Sequence, residues 1–584
     1  METQKNFPLD GKRLGVNRRR FMAYFSAIGL GSTLLPGALT AIAQETEQIT
    51  LEMLEGAAKV AGLEFTKEEL DTIVRSLNGR SSFIRRYEQI REMNLGNSVQ
   101  PAIVFNPVPP GFELPSGRKP FRMSKVEVSM PQTDEELAFL PVTHLAKLIE
   151  TRQITSTELT KLYIARLRKY DPTLLCVVSL TEELALKQAK KADEEIASGM
   201  YRGPLHGIPC GVKDLFAVKG YRTTWGASPY KDQVIDTDST VFTKLTEAGA
   251  VLIAKLTMGA LAQGDRWFGG RTRNPWNPEQ GSSGSSAGPG SATAAGLVGF
   301  SIGTETQGSI MSPSSRNGVT GLRPTFGRVS RYGAMALSWT MDKIGPMCRS
   351  AEDCAIVLNA IYGPDGKDNS IIDVPFNWNA NADVRKLRVG YLKNSYFREE
   401  IPDDPENPER VQRQRESKKL DDDALNVLLS LGVDLKPIEL PQLPNSAIGF
   451  ILSTEGAAAF DDLTRSNRDD LMNEEPERSS WGRTFRQHRF VPAVEYIQAN
   501  RVRSKIIEEF NEVFSDIDLF IGSSLSVTNL TGHPELNIPH GFTSQGAPSS
   551  LRFTGKLFGE SEILLLAHAF QSKTDHHLKH PKLS

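Results

Sequence analysis

Cysteine is scarce: Cys176, Cys210, Cys348 and Cys354 are the four in 584 residues. That number and their irregular spacing exclude a disulfide scaffold and a CxxC-type zinc site, and the expected state is buried free thiols. Net charge is nearly absent as well. Sixty-eight basic residues face 70 acidic ones, a formal net of -2, so no basic face announces a nucleic-acid partner. With 39% hydrophobic and 24% charged residues, general disorder, collagen-like repeats and a polytopic membrane protein are excluded. No internal repeat is evident. What is present in excess is glycine and proline: 48 Gly and 34 Pro make about 14% of the chain, above the roughly 12% expected.

The chain is longer than one small module and can bury a large core. Residues 1–43 read as an address rather than as fold. Arg18, Arg19 and Arg20 precede Phe21-Met22 and an uncharged apolar stretch to Ala43, an order that resembles a twin-arginine export signal. Ala41 and Ala43 place small residues at −3 and −1 of a cleavage site before Gln44. The expected partner is the twin-arginine export machinery, and the expected location is periplasmic or secreted. Retained uncleaved, residues 21–43 would instead be long enough for a membrane anchor, although Gly29, Gly31, Pro36 and Gly37 suit that helix poorly.

Residues 44–100 read as a helical extension. Thr66 and Glu69 form a capping-box pattern ahead of Leu70, Ile73, Val74 and Leu77, an apolar stripe on one face. Residues 101–135 carry seven prolines with little periodicity and read as an extended connector. From residue 136 to 584 helix and strand alternate. Thr155 and Glu158 cap a helix bearing Leu159, Leu162, Tyr163 and Leu167, while Ala250–Ala254 and Leu387–Leu392 read as buried strands. This alternation predicts an α/β fold with a large mixed, twisted β-sheet covered by helices on both faces. Residues 365–420, polar and dense in charge and proline, read as a surface excursion.

The glycine excess concentrates at 281–291, Gly-Ser-Ser-Gly-Ser-Ser-Ala-Gly-Pro-Gly-Ser. Composition alone reads as linker. The tract runs directly into the small, apolar Ala292–Phe300, and then into a second loop, Gly303-Thr304-Glu305-Thr306-Gln307-Gly308-Ser309-Ile310. Two such loops around one buried helix predict a rigid site where backbone N–H groups approach a ligand closely. These motifs, with Asn274-Pro275-Trp276, Gly203–Asp214, Gly321–Ser330, Asp342–Pro346 and Gly532–Pro539, resemble the amidase signature family of serine hydrolases over roughly residues 136–584.

The resemblance implies the amidase signature fold and a Ser–cisSer–Lys set: Ser309 as nucleophile, Ser285 as proton relay on a cis peptide, and Lys213 as base. A serine hydroxyl attacks an amide only when its proton is removed, and a lysine does this once burial destabilises its ammonium. The implied oxyanion donors are the backbone N–H groups of Thr306, Gln307, Gly308 and Ser309. Three positions depart from the family pattern: Glu305 replaces Asp, Gln307 replaces Gly, and Met311 replaces the Arg that pairs with that Asp to brace the loop. Gln307 could narrow the acyl pocket. The expected activity is hydrolysis of a linear amide. A glutaminase-type amidotransferase A subunit is the alternative within the family, and residues 57–105 faintly resemble that complex's small helical C subunit. An impaired homologue that only binds is a third reading.

Rival sites are weaker. Gly284–Gly288 matches G-x-S-x-G, which would make Ser286 a nucleophile, but Pro275–Gly284 is not expected to be the strand that this motif needs. Lys255, at a strand end, reads as solvated. His206, His533 and His540 read as structural, and His576, His577 and His580 as a solvated tail without metal spacing. Trp225, Trp267, Phe268 and parts of 440–500 are the candidate acyl pocket. No metal or cofactor is called for. The near-zero charge favours a small neutral amide over tRNA, and the oligomeric state is left open, a homodimer among the options.

Overall fold

Three helix starts carry a reciprocal Thr–Glu cap: Thr66 with Glu69, Thr133 with Glu136, and Thr155 with Glu158. Each hydroxyl accepts the N–H three residues on, and each carboxylate accepts the threonine N–H, satisfying two otherwise orphaned donors. The computed structural model describes residues 48–79, 83–93, 95–393, 400–472, 474 and 481–583. The export-signal reading of residues 1–43 lies outside the described residues. The chain falls into two compact units, Met1–Leu95 and Gly96–Ser584.

The first unit holds helices α1 (Leu51–Val60), α2 (Lys67–Asn78) and α3 (Phe83–Glu92). Leu70 of the expected stripe is buried, and Ile73, Val74 and Leu77 are half-buried. The Asn78 amide ties the end of α2 to Ile49, donating to its carbonyl at 2.8 Å and accepting its N–H at 2.7 Å.

In the second unit, residues 101–133 form no regular element beyond a bridge from Arg122 to Asn379. The helices that matter for the site and its support are α4 (Ser156–Leu174), α5 (Glu182–Ala197), α6 (Ala287–Ala294), α7 (Met311–Asn317), α8 (Ala351–Ile361) and α9 (Pro408–Ser430). Eleven strands form one sheet: β1 (Val177–Leu180), β2 (Pro209–Lys213), β3 (Val251–Leu256), β4 (Phe300–Glu305), β5 (Thr320–Arg323), β6 (Lys343–Cys348), β7 (Val389–Leu392), β8 (Leu435–Ile438), β9 (Leu519–Ile521), β10 (Glu535–Phe542) and β11 (Pro548–Gly555). Their spatial order is β1-β3-β2-β4-β6-β5-β10-β11-β9-β7-β8. β3, β2 and β4 run parallel, as do β9, β7 and β8, whereas the central pairings are antiparallel. Every residue of β2 to β6 is buried, which requires cover on both faces. Part of that cover is α5, whose Ala185, Ala189, Ala192 and Ile196 make one buried stripe. Leu159, Tyr163 and Leu167 of α4 join Ile356 and Leu358 of α8 in the same core. All four cysteines are buried and free.

The segment 365–420 corrects the surface-excursion reading. Val374, Phe376 and Trp378 alternate along an extended stretch and are buried at 2%, 3% and 1% exposure. The Trp378 carbonyl accepts the Arg122 N–H at 3.0 Å, and its ring meets His568 edge-on. The segment then supplies β7 and the first half of α9. Charge density along the segment obscured a two-residue apolar period that a strand-like reading would have caught. Trp378→Ala is expected to destabilise the protein by about 3–5 kcal/mol, read as a lowered denaturation midpoint, whereas a surface residue would change it by under about 0.5 kcal/mol.

Candidate active site

Parallel strands place their carboxyl ends on one edge of a sheet, and a ligand site is expected there. β2 ends at Lys213 and its parallel neighbour β4 ends at Glu305. Lys213 is fully buried. Its Nζ donates to Ser285 Oγ at 2.8 Å, Thr304 Oγ1 at 2.9 Å and Ser286 Oγ at 3.2 Å, and lies 3.4 Å from the Thr304 carbonyl. These partners are all neutral hydroxyl and carbonyl oxygens. Burial therefore dominates and pushes the lysine down to about 7, with the carboxylates of Asp342 and Glu305 pulling partly the other way.

Ser285 follows a cis peptide bond to Gly284. A Cβ on Gly284 would lie 1.8 Å from the Gly264 carbonyl oxygen, so only glycine fits. Ser309 is 8% exposed, and its carbonyl accepts the Ser286 N–H at 3.1 Å, which ties the two loops together. Of residues 285–310 only Gln307 is exposed, so the tract is not a linker. The turn from Thr306 to Ser309 is possible because Gly308 adopts φ +82°. Thr306 Oγ1 donates to Asp342 Oδ1 at 2.6 Å, and the second oxygen of Asp342 accepts the N–H groups of Leu337 and Ser338. Lys213 is thus bonded to Ser285, and Ser309 is held beside them through its backbone carbonyl, with Thr306, Gln307 and Gly308 in the adjoining turn.

The brace left in doubt by Met311 is present but comes from another strand. Arg323 of β5 donates to Glu305 at 2.6 Å and pairs with Glu535 of β10 at 3.1 Å, all three side chains being fully buried. Glu305 also accepts the N–H groups of Ile310 and Met311, at 2.8 and 2.9 Å, and the Asn529 amide at 2.9 Å. Its extra methylene, relative to Asp, accompanies a carboxylate that spans the turn to both donors opening α7. Burial alone would raise this carboxyl; Arg323 and the two backbone donors hold it at about 2.

A cavity of about 500 Å³ adjoins Thr304, Thr306 and Asp342. Trp225 lines it, but Trp267, Phe268 and residues 440–500 are not in its wall. Trp267 is instead buried edge-on against Phe268. Gln307, exposed, is outside the wall too. The wall holds residues that motif reading missed, among them Asn97, Gln100 and Trp339. The loop at 331–339 offers no regular period, so only the placement of Asp342 in a matched motif hinted at its neighbourhood.

The rival residues take the following places, and two of the expectations about them are corrected, those for Lys255 and for the tail histidines. Lys255 is not solvated: it is buried, 2.9 Å from Asp214 Oδ1, and donates to Thr223 Oγ1 and the Arg222 carbonyl, both at 2.6 Å. Its strand is interior, so its charge needed an internal partner. Asn277–Gly281 does form a strand, but in a two-stranded ribbon with Arg273–Asn274 and not in the main sheet. Ser286 is buried, donating to the Thr304 carbonyl at 3.0 Å and accepting the Thr304 N–H at 3.1 Å. His206 accepts the Arg202 N–H and faces Glu195, His533 bonds Thr531, and His540 bonds Asp421, all structural placements. The tail histidines are half-buried rather than solvated, with His580 stacked on Phe139 at 3.9 Å. Among the described residues no group of three or more His, Cys, Asp and Glu could hold a metal ion.

The family model described as Amidase matches residues 158–526. The chain belongs to the amidase signature family. Among relatives, the glutamyl-tRNA(Gln) amidotransferase A subunit of Geobacter metallireducens is 32% identical over 492 residues, covering 76% of this chain and 99% of that protein. Its counterpart in Carboxydothermus hydrogenoformans is 32% identical over 77% of this chain and 100% of its own length. Among solved structures, an amidase family protein from Bacillus anthracis superposes with a TM-score of 0.68 at 25% identity, over 77% of this chain and 94% of that one. The peptide amidase of Stenotrophomonas maltophilia gives 0.64 at 28% identity, over 74% and 96%. The large mixed sheet with its helices is therefore the amidase signature fold.

In this amidase-family chain, Arg323→Leu is expected to cost about 3–5 kcal/mol at neutral pH, because it strands buried carboxylates. Glu305, held below its ordinary value, contributes stability above about pH 4.5 that is lost as pH falls toward about 2. Denaturation midpoints across that range should show this loss in the parent and a weaker one in the variant.

Proposed function

We propose that the chain is an amide hydrolase that cleaves a linear carboxamide C–N bond through an acyl-serine intermediate. Support for this reading comes above all from Lys213: an amine buried among neutral hydroxyls, with its pKa near 7, is poised to take a proton at neutral pH. Neutral Lys213 accepts the Ser285 proton while Ser285 accepts that of Ser309, whose oxygen attacks the amide carbon. Backbone N–H groups of Thr306, Gln307, Gly308 and Ser309 stabilise the oxyanion, so that a side chain at Gln307, outside the cavity wall, leaves the backbone free for that task. The proton returns through Ser285 to the leaving amine, and water then attacks the acyl-serine by the same relay.

A fluorophosphonate probe should label the parent at Ser309, and Ser309→Ala should abolish the label; an unlabelled parent would refute the hydrolase reading in favour of an impaired binding homologue. Lys213→Ala should lower kcat/KM by about 10²–10⁴-fold. Because the base works only when neutral, kcat/KM should fall about tenfold per pH unit below pH 7 and level off above it.

The names of the relatives favour a second reading, an amidotransferase A subunit that releases ammonia from glutamine. Glutamine-dependent ammonia release coupled to transamidation of a tRNA-bound amino acid would establish it over the first. On the sequence of residues 18–43 we further propose export by the twin-arginine route, with the mature chain beginning at Gln44. Amino-terminal sequencing of the protein from a periplasmic fraction should read Gln44; a full-length cytoplasmic product would overturn this.

A further inference from the structure

Residues 97–100 precede the region matched by the family model, yet they lie in the same compact unit as the site. Asn97 fastens this segment to the loop 331–342. Its amide nitrogen donates to the Ala336 carbonyl at 2.8 Å, and its amide oxygen accepts the Ala336 N–H at 2.8 Å, the reciprocal pair that an adjacent strand would make. A further acceptor, the Ala459 carbonyl, lies at 3.3 Å. Thus clipped, Asn97, Ser98 and Gln100 form part of the wall of the cavity of about 500 Å³, with Asn97 and Gln100 half-buried and Val99 turned out at 49% exposure.

Of the ionisable groups in the same wall, Arg331 and Asp342 are partnered within the protein, and Lys343, buried at 3% exposure without a carboxylate beside it, is pushed well below the ordinary lysine value by that burial. Arg331 bonds Asp368, Ser370 and the Trp339 carbonyl, Lys343 bonds the Met341 carbonyl, and Asp342 accepts from Thr306, Leu337 and Ser338. The remaining polar groups of the wall, including those of Asn97, Gln100 and Thr237, are uncharged. An acyl group carrying its own carboxylate would find Arg331 already held by Asp368 and Lys343 held in its uncharged form by burial, and would lose hydration without compensation.

We propose that Asn97–Gln100 is a specificity-determining wall of the catalytic cavity, held in place by the Asn97–Ala336 clip, and that it selects an amide whose acyl group is uncharged. This rests on the hydrolase reading. The experiment uses the full-length protein and two substrates of like shape, 4-oxopentanamide and succinamate, which differ in charge. The parent should favour the neutral amide by more than about 100-fold in kcat/KM. Gln100→Arg should move that ratio toward succinamate by at least about tenfold, since a cation at the wall supplies the missing partner. Asn97→Ala, which frees the segment, should raise kcat/KM for 4-phenylbutanamide relative to acetamide by about fivefold or more, mainly through KM. Ratios between substrates do not depend on the folded fraction, so a merely structural role would leave them unmoved. Unchanged ratios in both variants, with Ser309 still labelled by fluorophosphonate, would overturn the wall. A parent that prefers succinamate would overturn the selection for uncharged acyl groups. Loss of Ser309 labelling in the parent would overturn the hydrolase reading itself, and this proposal with it.

Discussion

An amine taken out of water and bonded to hydroxyls is the constraint around which this fold is arranged. To sit at the end of β2 with its pKa near 7, Lys213 needs small, neutral neighbours and no water. Three oxygens at 2.8–3.2 Å meet that need. They come from a loop and a strand that approach each other only because glycine occupies the close contacts, as Gly284 does against Gly264. The tight tract in turn requires a rigid frame, and the wholly buried strands β2 to β6 provide it. Composition, loop shape and acidity are consequences of one requirement.

The frame is electrostatic as well as steric. Glu305 terminates β4 and receives two N–H donors of the turn that presents Ser309, yet as a buried carboxylate it is tenable only because Arg323 faces it from β5. Arg323 also joins Glu535 on β10. Three neighbouring regions of the sheet are thereby fixed to the loop, and an error in strand order would leave a charge stranded in the core.

Much of this was legible in the residues. The capping boxes at Thr66 and Thr155 are local signals and appear where the spacing places them. Residues Lys213, Ser285 and Ser309 lie in short motifs whose order matched the family, and the fold gathers them. What escaped notice depends on distance along the chain. Arg323 replaces a brace expected from position 311, and nothing local says that β5 runs close to Glu305. Lys255 ends an apolar strand and so resembles a surface charge, until pairing of β2 with β3 brings Asp214 to it. The cavity wall at Asn97 joins positions 239 residues apart, a relation that no period can express. Trp378 was hidden in another way, by charged neighbours that mask its alternation with Phe376 and Val374.

Asp214 follows Lys213 directly in the chain, and a carboxylate so near could have restored the ammonium that the proposed chemistry must avoid. Lys213 is the last residue of β2, and Asp214 opens the turn that follows it. Lys213 reaches toward Thr304 on β4, while Asp214 is occupied by Lys255 on β3 and by the Thr224 hydroxyl and N–H. The turn that begins where β2 ends therefore keeps a base and an acid apart that are joined by one peptide bond. Lys255, a second lysine outside the cavity wall, is thus the cation that the carboxylate next to Lys213 is paired with.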